Sequence, residues 1–442
     1  MSMDSYGLTT TTDSHDAKRA FENAVYGLAT HRPNTASALQ QVLSADPDHV
    51  AAHVLKGFAN LILARSELLP TAKVALADAR KALARKRGGS TDERVLVEAL
   101  AAAARGWFGH AADMLDSGFE ARPATFLPFK ISHALRFMAG DQAGMLAASS
   151  RAVRHLDPAG RAAGFILGCH AFSLEEHGRY EEALRAGRRA VALQPDDSWG
   201  LHAVSHVFEM RGDTRQGIDW LENSRNAWSR CNNFSFHMAW HLGLLHLERG
   251  DHDRVLQIYD DEVRPQQTDD FRDMANAVSL LWRLEQSGVH VAGRWEDLAE
   301  VARRRRADTT LVFAALHNLA AMVAVGDHQS ARELVAEIDL KAWGKGDQAR
   351  VAAEIGVPMA RILAGLDAPA DRQVIDRMVA NLPKIGGSNA QRDFFVLALA
   401  KAVGKGGDGA TVSKIGRIRQ QLKADDRLFQ SIESAVGSRL PA

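Results

Sequence analysis

The chain has 442 residues, 46% of them hydrophobic and 24% charged, which supplies a buried core, excludes general disorder and exceeds what one compact core usually holds. Lysine plus arginine equals aspartate plus glutamate, 54 each, so no overall field draws the chain to nucleic acid or to an anionic membrane. The two cysteines, Cys169 and Cys231, are far apart and form no Cys-x-x-Cys, which excludes a disulfide framework and a thiolate zinc site.

Residues 1–15 are polar, acidic and threonine-rich and read as a flexible leader rather than a signal peptide. No run of 18 apolar residues follows, and the expected location is cytoplasmic, without a membrane. From Asp16 onward the pattern is helical: Ala-, Leu-, Arg- and Glu-rich segments with apolar positions at three- and four-residue steps. Region 16–105 has this texture with weak punctuation, as at Asp46-Pro47 and Leu69-Pro70, and is assigned to degenerate repeats and an N-terminal cap.

The punctuation then becomes regular. Glycines recur at 106, 140, 178, 212, 250, 288, 326, 365 and 404, a spacing of 34 to 39 residues that marks a repeat. Glycine supplies the left-handed backbone that stops a helix. Five residues after most of them stands a small residue, Ala111, Ala183, Gly217, Gly293, Ala331, Ala370 or Gly409, with Met145 and Val255 the exceptions; a small side chain there lets the second helix of a hairpin approach the first. The unit GRYEEALRAGRRAVALQPDD, from Gly178, places Tyr180, Ala183, Ala190 and Pro195 at spacings similar to the tetratricopeptide repeat.

Each unit is therefore helix A, a glycine turn, helix B and a linker, and neither helix buries its apolar face alone. The predicted fold is all-α, a right-handed α-α superhelix: a tetratricopeptide-like solenoid of about nine hairpins with the A helices on the concave side. Its array spans 106–403, and 404–442 forms C-terminal capping helices. The basic run Arg303–Arg306 closes a helical stretch, where cations suit the carbonyl end of the dipole, and reads as a solvated face.

The stretch 198–250 is unlike a generic repeat. SWGLHAVSHVFEMRG and CNNFSFHMAWHLGLLHLERG hold two histidine pairs at i, i+4, His202/His206 and His237/His241, each on one face of its helix. With DDSWGLHAVSHVFEMRG, CNNFSFHMAWHLGLLHLERGDHDRVLQIYD and the later DDFRDMANAVSLLWRLE in view, the chain resembles the tetratricopeptide-repeat protein 38 family. The resemblance implies a helical-repeat fold and little chemistry.

Counted back from the turn glycines, His202, His206 and Glu209 form one stripe, His237 and His241 a stripe offset by one turn, and Asp270, Asp273, Asn276, Ser279 and Trp282 follow on the next A helix. His317 stands at the repeat position of His241 and Ser279. Neighbouring A helices lie roughly 10 Å apart, so the predicted concave pocket comprises His202, His206, His237, His241, Asp273 and His317, walled by Trp199, Phe236, Trp240 and Trp282, with Glu209 a further candidate.

Three chemistries fit that set. The imidazoles His202, His206, His237 and His241 could ligate zinc or a similar divalent ion, although the first pair lacks the glutamate of His-Glu-x-x-His. The groove could bind a small molecule or peptide, with turnover of hydrolase type if His202, His241 and Asp273 serve as general base and its orienting carboxylate. The alternative is a non-catalytic protein-interaction scaffold with packing histidines. Glu175, Glu209 and Glu285 share one repeat position, which argues for a bridging role for Glu209, and Asn232 and Asn233 are placed to cap the helix carrying His237.

Overall fold

A computed structural model describes residues 1–366, 372–424 and 426–437. Among these the chain is all-α apart from one two-stranded ribbon, and it divides into two compact units, Met1–Val204 with Ser224–Phe234 and Ser205–Asn223 with Ser235–Ala442. The expected flexible leader is instead ordered and packed. Strands β1 (Ser2–Met3) and β2 (Thr9–Thr10) pair antiparallel, Ser2 opposite Thr10. Asp4 closes the turn by accepting the N–H groups of Tyr6 and Leu8 at 2.9 Å each, and Leu8 is fully buried. Partners far along the chain hold the ribbon: Asp92 accepts the Thr9 N–H, Glu93 accepts the Thr11 N–H, and Ser90 donates to the Thr9 carbonyl.

The first unit is built of successive hairpins: α1 (His15–Ala29) with α2 (Thr35–Ala45), α3 (Val50–Ile62) with α4 (Leu69–Arg85), α5 (Thr91–Ala103) with α6 (Phe108–Gly118), α7 (Phe126–Ala139) with α8 (Gln142–Arg154), and α9 (Ala163–Glu175) with α10 (Tyr180–Leu193). Region 16–105 thus contains complete hairpins despite its weak punctuation. Local chemistry starts the helices. Ser14 accepts the Ala17 N–H before α1, and Ser90 and Glu93 form a reciprocal capping box at α5. Helix α11 (Ser198–Arg211) begins in this unit and continues into the second; α12 (Thr214–Asn223) belongs to the second unit and the short α13 (Arg225–Trp228) to the first.

The second unit continues with α14 (Phe234–Arg249), α15 (His252–Ile258) extended by a π-helical turn over Tyr259–Val263, α16 (Phe271–Gln286), α17 (Arg294–Arg304), α18 (Val312–Ala324) and α19 (His328–Ala342). Then come α20 (Asp347–Val351), a second π-helical turn over Ala352–Gly356, α21 (Val357–Leu363), α22 (Arg372–Asn381), α23 (Asn389–Lys405), α24 (Gly409–Arg419) and α25 (Arg427–Gly437).

The turn glycines 106, 140, 178, 212, 250, 288, 326 and 365 all adopt positive φ, the conformation only glycine takes without strain. Gly404 differs. It lies inside α23, and the left-handed turn falls at Gly407, with φ +82°. Of the small residues expected at the hairpin contact, Ala111, Ala183, Gly217 and Ala331 are buried. Gly293 is exposed, and a Cβ there would meet nothing; Gly409 is half-buried, and Ala370 lies outside the described residues. Each arginine from Arg303 to Arg306 pairs with a carboxylate, of Asp327, Glu300, Asp269 and Glu333 respectively, as expected of a solvated helix end.

Candidate metal centre

In the second unit, helices α11, α14 and α16 bring Glu209, His206, His237, His241 and Asn276 together, all buried. His241 Nδ1 lies 2.8 Å from Glu209 Oε2, and His237 Nδ1 lies 3.0 Å from Asn276 Oδ1. A carboxylate accepts and does not donate, so His241 carries its proton on Nδ1. Burial, reinforced by the neighbouring rings, pushes the pKa of both His237 and His241 well below the ordinary imidazole value; they are neutral. The lone pair of His241 therefore sits on Nε2, and with the Asn276 oxygen facing His237 the same holds for that ring.

The two Nε2 atoms face each other at 3.2 Å. Two bare lone pairs at this distance repel. A tetrahedral ion with about 2.0–2.1 Å bonds to imidazole sets two ligand nitrogens about 3.3 Å apart, so the spacing is that of two ligands on one ion. His206 offers a third nitrogen, within 4.8 Å of theirs, and its ring centroid is 4.4 Å from that of His241. His202 stands one turn before His206 on α11. Without an ion the two rings pair when Asn276 turns its amide nitrogen toward His237 Nδ1, so that His237 Nε2–H donates to His241 Nε2.

Around this cluster runs a second layer of hydrogen bonds of the kind that fixes ligand tautomers. Trp240 donates from Nε1 to Ser279 Oγ at 3.0 Å, and Ser279 donates to the Asn276 carbonyl, tying α14 to α16. Lys423 donates to Glu209 Oε1 at 3.4 Å and stands 3.6 Å from Glu248. Burial works against the Lys423 charge, but Glu209, Glu248, Asp393 and Asp426 outweigh it and hold its pKa above the ordinary lysine value. Burial raises the Glu248 carboxyl to about 7.

The remaining predicted residues are placed otherwise. Asp273 is buried and accepts from Thr268 Oγ1 at 2.6 Å. His317 sits in a separate aromatic nest, donating Nδ1–H to the Phe313 carbonyl at 2.8 Å and stacking on Phe394; burial lowers its pKa to about 4. Trp282 meets Phe394 edge-on, Trp240 is fully buried, and Phe236 is half-buried. In the first unit Trp199 packs against Phe172, His202 and Phe234, and His202 stacks on Phe172. Of the residues expected to line the concave pocket, His202, His206, His237, His241, Asp273 and His317 are all buried. Two surface hollows, one beside Ser37, Gln40 and Ser44 and one beside Leu115, Asp116 and Arg151, involve none of them.

Lys423 was not anticipated, because nothing near position 423 points to a partner 214 residues earlier. Asn276 was visible only as one polar residue on an A helix.

No protein-family model matches the chain. Among solved structures, yeast Tom70 is similar over 96% of this chain and 89% of its own, at 12% identity and a TM-score of 0.39. The Naa15/Naa10 complex bound to HypK-THB is similar over 96% of this chain and 66% of that one, at 14% identity and a TM-score of 0.27. Likenesses this distant bear no functional conclusion. No described helix is long and apolar enough to cross a membrane.

Proposed function

We propose that this is a helical-repeat protein holding a divalent transition-metal ion of zinc type, with His206, His237 and His241 as ligands. The observation behind the proposal is the 3.2 Å approach of two neutral imidazole nitrogens, each oriented by an acceptor on its other nitrogen. The fit is chemical as well as geometric, since neutral imidazoles and a carboxylate behind one of them are what zinc takes. When bound, the ion would pin α11 to α14; Glu209 and Asn276 hold the two rings in the ligating tautomer.

Burial of these three histidines favours a closed, structural site over an open catalytic one. General-base roles for His202, His241 and Asp273, and a small-molecule or peptide ligand among these residues, have correspondingly less support. The protein-interaction reading belongs to the exposed hairpin surfaces. A cytoplasmic setting is part of the same proposal, supported by two buried free cysteines, as is the resemblance of Asp196–Gly212 and Cys231–Asp260 to the tetratricopeptide-repeat protein 38 family.

Elemental analysis of the purified chain, followed by chelation and reloading with cobalt(II), tests the metal reading. Stoichiometric metal, a tetrahedral cobalt spectrum and loss of both in His237→Ala are expected, with helicity retained. A wild-type chain that takes up neither zinc nor cobalt, while its thermal unfolding ignores both ions, would overturn it and leave the hydrogen-bonded imidazole pair.

A further inference from the structure

Helix α19, in the second unit, carries more apolar surface than its neighbours cover. Its inward stripe, Ala331, Leu334, Val335 and Ile338, is buried at the three- and four-residue steps of one helical face and packs toward α18 and α21. On the opposite side Ala336, Leu340 and Trp343 follow one another at i, i+4 and i+7, all exposed. Leu340 is 67% exposed and Trp343 86%, more than any other large apolar side chain among the described residues. A helix that is apolar on two faces is normally covered on both, and tryptophan is the residue most often found anchoring an interface.

Two charges frame the patch. Asp339 precedes Leu340 on the last turn of α19, and Lys345 follows Trp343 just past the helix end. Both are exposed, and neither forms an ion pair among the described residues. Asp339 and Lys345 stand equally far in sequence on either side of Ala342, and Leu340 and Trp343 are centred on nearly the same point.

A patch with an acid at one end, a base at the other and apolar groups between them is complementary to its own copy turned by half a rotation. Partners of a single sign fit it worse. An acidic segment, an anionic membrane or a nucleic acid is repelled by Asp339 as it is attracted by Lys345, and a basic segment meets the reverse. The balance of 54 positive and 54 negative residues in the whole chain sets up no net repulsion between copies.

We infer that this face of α19 is an interface between two copies of the chain. The copies pack antiparallel across a two-fold axis, with Leu340 and Trp343 of each against those of the other, and with Asp339 of one copy facing Lys345 of the other. Two leucines and two tryptophans make an interface smaller than that of a permanent dimer. The association is therefore weak and reversible, with a dissociation constant on the order of 10 µM. It does not depend on the metal centre.

Sedimentation of the full chain over about 1–200 µM tests the inference, with monomer expected at the low end and dimer at the high end. Trp343→Ala combined with Leu340→Ser should leave a monomer throughout, its helicity unchanged because both side chains are exposed. Asp339→Lys sets lysine against lysine at both ends of the patch, and Lys345→Asp sets aspartate against aspartate, so each variant alone should dimerise at least about tenfold more weakly. Mixed in equal amounts, the two variants regain both opposite-charge pairs in one heterodimer and should associate within about threefold of the wild type. A wild type that stays monomeric to about 200 µM, a dimer left intact by Trp343→Ala with Leu340→Ser, or a mixture no tighter than its separate variants would each overturn the inference.

Discussion

An imidazole becomes a ligand only when its other nitrogen is held, and the two acceptors here do this by different means. Glu209 fixes His241 by charge, whereas Asn276 can face His237 with either end of its amide. Asn276→Leu removes the acceptor at nearly constant volume and should weaken metal affinity about 10- to 100-fold, read by competition with a chromophoric chelator. Affinity within twofold of wild type would mean His237 is not oriented through Asn276. His317 offers a separate test, because its folded pKa of about 4 lies below the unfolded value of about 6.5. The unfolded chain takes up that proton first, so the stability from keeping the ring neutral is complete above pH 6.5 and is lost as pH falls toward 4. Between pH 7 and 5 the wild type should lose about 2 kcal/mol more than His317→Phe, in urea melts at both pH values. Equal losses would place the proton elsewhere.

At the scale of helices and turns, the elements set by local chemistry were readable in advance. Glycine has no competitor for a left-handed turn, so eight of the nine turn positions could be read from spacing; the ninth slipped because Gly404, Gly406 and Gly407 offer several stops and α23 runs on to Lys405. The i, i+4 histidine pairs could be read for the same reason, since helical periodicity alone puts each pair on one face. What stayed hidden is held by distant partners. The leader looks disordered because the groups that order it, Asp92 and Glu93, lie more than 80 residues on. Nor does a histidine stripe say whether it faces solvent or a neighbouring helix. Close approach of helices was partly readable, as at Gly187 of α10, where an added Cβ would stand 2.5 Å from Val204 Cγ2 and 3.5 Å from Ala171 Cβ. Alanine favours a helix over glycine by about 1 kcal/mol, but valine cannot turn aside cheaply. Gly187→Ala should therefore destabilise by about 1–3 kcal/mol in chemical denaturation, and a stabilised variant would show that α10 has room to move.

At the scale of the whole chain, Arg419, Lys423, Asp426 and Phe429 belong to the interior of the second unit. The Ala424 N–H donates to the Met210 carbonyl, Lys423 reaches Glu209 and Glu248, and Arg419 holds Asp393 in a two-pronged pair beside Arg283. A buried charge left without its partner costs more than the pair contributes. Lys423→Met strands the Glu209 carboxylate in apolar surroundings, and the loss should be about 3–5 kcal/mol, measured by urea unfolding of the full chain. Changing Glu209 and Glu248 to glutamine in the same chain removes the stranded charge and should restore most of that stability. It should not restore the wild-type affinity for cobalt, because a neutral amide behind His241 is a weaker acceptor than a carboxylate. If Lys423→Met alone is as stable as wild type, Lys423 is held in water rather than against Glu209, and α25 is a detachable cap.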